Sequence, residues 1–183
     1  MALPSTIYRA CIQLSDIDRN IYETLQTTVA QHPSETAERL VVRLLAYAIC
    51  FEPDLLFTRG IAAGDEPDLW VKRYDGRVAL WIEVGLTEPE RLIKACRHAE
   101  RVVLFAYGSS RQIWEKQHLE KLSGISNLTI IGIDKNFLVR LTQRLQRSIT
   151  WSLTITESSL YLTTNDETHE SSLLLLSGPP LSR

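Results

Sequence analysis

The chain has 183 residues, 44% hydrophobic and 23% charged, with 20 basic against 22 acidic side chains and a formal charge of −2. That length supports one domain with its own core, and the composition excludes a disordered or fibrous chain. The charge balance excludes a polycation that grips nucleic acid by bulk charge, so any phosphate binding has to come from a local patch.

Residues 6–14 and 21–30 read as strands joined by the polar turn Asp16-Ile17-Asp18-Arg19-Asn20. His32-Pro33-Ser34-Glu35 reads as a helix start with Ser34 as cap, opening a helix with an apolar stripe of Val41, Leu44, Leu45 and Ala48 on one side. Strands are predicted near 55–58, 68–74 and 78–84. A second helix should begin at Thr87, with Glu90 completing a capping box. A buried strand over 102–107, a helix over 110–122, a strand over 128–133 and a helix over 135–146 follow. The chain ends in strands at 149–156, 160–164 and 172–176.

Cys11, Cys50 and Cys96 are far apart and lack C-x-x-C spacing, which argues against a zinc cluster or a disulfide framework. The first five residues show no signal-peptide pattern. The richest apolar stretch, 41–51, is too short to span a bilayer and is interrupted by Arg43. The expectation is a single mixed α/β domain over residues 1–183, cytoplasmic, with no membrane partner.

The most informative segment runs from Asp65 to Gly85. Asp75-Gly76 between two apolar runs predicts a two-residue type I′ hairpin. Its register sets Trp70 opposite Trp81, read as a packed pair, and Asp68 opposite Glu83 on the same sheet face. Opposed like charges destabilise a ladder, and Glu83 sits inside a strand that reads as central. A hard divalent cation, Mg²⁺ or Mn²⁺, resolves both problems, since such ions take one or two carboxylates plus water and phosphate. The bland alternative gives Glu83 a basic partner and makes Asp68 a simple strand start.

Pro67-Asp68, then Glu83-Val84-Gly85 on the next strand, resembles the PD-(D/E)XK signature of restriction-endonuclease-like nucleases, with glycine at 85 where the signature has lysine. Together with His32-Pro33-Ser34-Glu35-Thr36, Glu38-Arg39, Phe57-Thr58-Arg59-Gly60 and Ile93-Lys94-Ala95-Cys96, these segments resemble the bacterial YaeQ family over essentially the whole chain. The resemblance implies a restriction-endonuclease-like core: a mixed sheet flanked by helices, with added N- and C-terminal strands. It implies a metal held by Asp68, Glu83 and the Val84 carbonyl, which would activate water against a phosphodiester of DNA or RNA. Lys94, on the second helix with Arg91 and His98, is the candidate for a displaced lysine, and Lys72 is the other. Glu38, at the edge of the first helix's stripe, is the candidate further ligand, while Glu35 reads as a first-turn acid matched to the helix dipole. Arg59 could meet phosphate or pair with Asp65. The alternative is a degenerate member of the same fold, serving as a binding or regulatory module without catalysis.

Overall fold

The computed structural model describes residues 4–59, 64–165 and 167–181. Gly60 of the Arg59–Gly60 pair lies outside them. The elements are β1 (Thr6–Asp16), β2 (Ile21–Gln31), α1 (Ala37–Ile49), β3 (Leu56–Phe57), β4 (Leu69–Lys72), β5 (Val78–Val84), α2 (Pro89–His98), β6 (Ala99–Ala106), α3 (Arg111–Leu122), β7 (Leu128–Gly132), α4 (Lys135–Gln143), β8 (Ser148–Thr156), β9 (Ser159–Thr164), β10 (Glu167–Ser172) and β11 (Leu174–Ser177).

These strands form two sheets where one mixed sheet was expected. The first has the order β10-β9-β8-β1-β2, with β1 parallel to β8. The second has the order β11-β7-β6-β5-β4-β3, parallel through β5, β6 and β7 and antiparallel at both edges. The strands at the chain's ends therefore build a sheet of their own, apart from β11, which crosses to the edge of the other. β10 escapes the sequence pattern because Glu167–Ser172 turns only one residue, His169, into the core.

α1 lies between the two sheets. One hydrophobic cluster joins Leu40, Leu44 and Leu45 of the helix to Ile12 and Leu153 of the first sheet and to Leu80 and Ile82 of the second. The helix is thus buried nearly all round from Leu40 to Ile49, Arg43 included, in place of the expected one-sided stripe. Each fully buried Leu or Ile here contributes roughly 1.5–3 kcal/mol of transfer free energy, so this layer carries much of the hydrophobic stabilisation. On the opposite face of the six-stranded sheet, Leu92 and Ala95 of α2 and Trp114 of α3 pack on Val102, Leu104 and Ile130. Among the described residues, no helix is long and apolar enough to cross a membrane.

Two helix starts differ from expectation. Thr36, not Ser34, caps α1, its hydroxyl accepting from the Arg39 N–H, while the Ser34 hydroxyl bonds the His32 ring. No capping box forms at Thr87. Glu88 occupies the N-cap position of α2 without a side-chain cap, and Glu90 pairs with Lys121.

The β4–β5 hairpin reaches the expected register by a different route. Only Gly76 has positive φ, at 85°, and Arg73 and Gly76 close a turn backed by the Arg73 N–H donating to the Arg77 carbonyl. The loop is therefore one residue longer than a type I′ turn. That would shift every pair by one, but a bulge between Val71 and Lys72 on the ladder shifts it back, and Trp70 does face Trp81. The two rings do not pair as expected: the Trp81 indole turns along its own strand to Glu83, and Lys72 sits 3.6 Å over the Trp70 ring.

Candidate functional site

β5 ends, β4 begins, and α1 and α2 start around one open cleft of about 330 Å³, lined among others by Arg39, Glu66, Asp68, Glu83, Glu88 and Arg91. Four acidic residues and two arginines are among the residues that line it. Its lining is acidic.

Asp68 is 1% exposed and stands just outside the regular ladder, which ends at the Leu69–Ile82 pair. Its backbone N–H donates to Ile82 O, and its side chain takes the place of a backbone acceptor: Oδ2 receives the Val84 N–H at 2.8 Å. Oδ1 receives Arg39 Nη2 at 2.5 Å, and Arg43 Nε lies 3.8 Å from the same oxygen. The alternation rule therefore does not govern the Asp68 carboxylate, which is held by α1. Burial pushes its carboxyl above the ordinary aspartate value, while Arg39, Arg43 and the Val84 N–H pull the other way.

Glu83 is held from the other side of the sheet. Its Oε1 receives both Trp81 Nε1 at 2.9 Å and Arg91 Nε of α2 at 2.7 Å. Its Oε2 accepts nothing among the described residues. Burial raises this carboxyl too, against Arg91 and the indole, and the charge of nearby Asp68 adds to the rise.

Behind Asp68 lies a network that extends the site into the core. Glu35, buried, accepts Arg39 Nη1 at 3.1 Å and Arg43 Nη1 at 3.0 and 3.1 Å, so both arginines bridge it to Asp68. Glu35 was expected only to match the helix dipole. The signal for its true place was the spacing Glu35, Arg39, Arg43, four residues apart each time, which stacks the three side chains on one line. Glu38, the expected further ligand, is half-buried and does not line the cleft.

The structure also does not bring Lys94 to the cleft. It is exposed, one turn beyond Arg91, and the α2 side chain that reaches Glu83 is Arg91. Lys94→Met should accordingly change stability by no more than about 0.5 kcal/mol, read as the urea midpoint. Lys72 lines a separate groove, and exposed Arg59 makes no ion pair with Asp65. Val84 lines the cleft.

Asp68 and Glu83 could together offer a small, hard cation two carboxylates beside water and phosphate: both line the cleft, each Asp68 oxygen already accepts one hydrogen bond, and Glu83 Oε2 accepts none among the described residues. A richer centre is absent: among the described residues no group of three or more His, Cys, Asp or Glu side chains could hold a metal.

The fold and cleft define a two-sheet, mixed α+β protein whose acidic pair is held by arginines from two helices. The chain belongs to the YaeQ family, whose family model, described as YaeQ protein, matches residues 1–173. It is 41% identical over 163 residues to a Salmonella typhi protein named "Uncharacterized protein YaeQ", covering 88% of this chain and 90% of that one. The crystal structure of a YaeQ protein from Pseudomonas syringae is similar with a TM-score of 0.92 and 41% identity, over 97% of this chain and 99% of that one. A Xanthomonas axonopodis pv. citri YaeQ structure matches with a TM-score of 0.92 at 35% identity, over 96% and 99%.

Proposed function

We propose that the protein is a divalent-metal-dependent phosphodiester hydrolase of restriction-endonuclease-like architecture, acting on DNA or RNA in the cytoplasm. The observation that carries this reading is the convergence of Asp68, just before β4, and Glu83 of β5 on one cleft. A cleft lined by more acidic residues than arginines disfavours a bare phosphodiester, so a cation would enter before or with a polyanionic substrate. Asp68, Glu83 and the Val84 carbonyl would hold Mg²⁺ or Mn²⁺, which when bound supplies charge neutralisation at the phosphate and a water of lowered pKa. The protein's own part is orientation. The Val84 N–H and Arg39 fix both Asp68 oxygens, and the Trp81 indole fixes Glu83 Oε1 while Oε2 accepts no hydrogen bond among the described residues.

A second reading, a binding or regulatory module without catalysis, is favoured by the absence of a lysine among the described residues of the cleft lining, with glycine at 85 and Lys94 exposed. Calorimetric titration of Mn²⁺ into wild type and Glu83→Gln, with cleavage assays on single-stranded and duplex oligonucleotides, separates the two. The first reading expects binding and cleavage by wild type, with affinity lower by at least about tenfold in Glu83→Gln. Binding without cleavage on either substrate supports the second. No Mn²⁺ binding by wild type overturns the first.

A further inference from the structure

Arg91 does more than neutralise Glu83. Its Nε donates to Glu83 Oε1 at 2.7 Å, its Nη1 to the Gly64 carbonyl at 2.5 Å and its Nη2 to the Glu66 carbonyl at 2.7 Å. One side chain, 35% exposed, thus ties α2 to β5 and to the segment that leads into Asp68. It occupies Oε1 of the carboxylate that a cation needs, and so competes with the cation for the charge of Glu83.

The two carboxylates of the cleft differ in how firmly they are held. Asp68 receives Arg39, which is 17% exposed and also committed to buried Glu35, with Arg43 behind it at 4%. Arg91 has one anionic partner and two neutral ones, and more of it reaches solvent. If it leaves Glu83, the Trp81 indole still holds Oε1 in place. A cation arriving at Glu83 repels the guanidinium at short range. The planar fork that grips a carboxylate grips a phosphate equally well.

We propose that Arg91 is an exchangeable clasp: closed on Glu83 and the 64–66 carbonyls while the cleft is free of cation, and transferred to the phosphate of the ligand when a cation takes Glu83. The inference rests on the cleft being a cation site, as proposed above. Arg91 then positions the phosphate, with no lysine needed at position 85 for that purpose.

The test is Mn²⁺ binding, by calorimetry and by loss of the free-ion electron paramagnetic resonance signal, with and without thymidine dinucleotide as phosphodiester probe. Wild type, Arg91→Gln and Arg91→Lys are compared. Without probe, Arg91→Gln should bind Mn²⁺ about two- to fivefold more tightly, the range expected from removing one partly exposed competing ion pair. With probe, wild-type affinity should rise about tenfold and that of Arg91→Gln much less, since a charge-assisted fork is lost. Arg91→Lys, which keeps a point charge but cannot hold both carbonyls and Glu83 together, should fall between; it carries the test if Arg91→Gln does not fold. Equal or weaker Mn²⁺ binding by both variants, with wild type binding normally, overturns the clasp and leaves the cation site standing. An equal probe effect in all three proteins overturns the transfer to phosphate. No Mn²⁺ binding by any of the three removes the cation site, and the clasp with it.

Discussion

Arg43→Met should lower the unfolding free energy by about 3–5 kcal/mol, the cost of removing one partner from a buried charge network. The Arg43 side chain is 4% exposed in the middle of α1, between two sheets. Its Nη1 donates to both oxygens of Glu35 and to Ala30 O, its guanidinium lies 5.4 Å from the centre of the Phe57 ring, and its Nε approaches Asp68 to 3.8 Å. Methionine fills a similar volume, so packing survives and the loss reports on charge. Glu35 would be left buried with Arg39 as its one guanidinium, and Asp68 would depend on the same Arg39. Urea unfolding of wild type, Arg43→Met, Glu35→Gln and the double variant gives the coupling directly. The double variant should be markedly more stable than the sum of the singles. Simple additivity would mean that Arg43 acts through Phe57 and the Ala30 carbonyl instead.

The network also explains what the sequence did and did not disclose. Alternation and helical spacing located most of the elements, because β1, β5 and α1 write their burial into their apolar residues. They could not say that α1 is buried on both sides, since a stripe of Val41, Leu44 and Leu45 reads the same whether or not Leu40 and Val42 meet a second sheet. That second sheet depends on the parallel pairing of β1 with β8, a contact between distant parts of the chain with no local signal. The acids were legible because a carboxylate in a run such as Val-Ala-Leu-Trp-Ile-Glu-Val conflicts with its surroundings. Their arginines were harder to find. Arg91 belonged to a basic face from which Lys94 was singled out, and the direction in which a long side chain reaches is settled by packing. The hairpin carries a sharper lesson: Trp70 faces Trp81 as expected, yet only because the bulge offsets the longer loop.

Asp68→Asn and Glu83→Gln look like equivalent neutralisations, and the hydrogen bonds make them opposite. Asp68 has a donor on each oxygen, Arg39 on Oδ1 and the Val84 N–H on Oδ2. An asparagine has to aim its own NH₂ at one of those donors, leaving a buried polar group unsatisfied. Asp68→Asn should therefore lose about 2–3 kcal/mol. Glu83 takes both its donors on Oε1. A glutamine can keep its carbonyl there and turn its NH₂ into the cleft where Oε2 stood. Burial holds the Glu83 carboxyl above its ordinary value, so the folded state binds that proton more tightly than the unfolded chain does. The folded protein then loses stability as pH rises from the ordinary glutamate range through the elevated folded value, and bears none of that penalty at lower pH. Glu83→Gln escapes it. In metal-free buffer the variant should match wild type at about pH 3.5 and exceed it by about 1 kcal/mol at pH 8. Thermal melts at the two pH values check both substitutions. A Glu83→Gln protein less stable than wild type at pH 8 would mean that Arg91 needs the full negative charge of Glu83, and that the attraction between them outweighs the cost of burial.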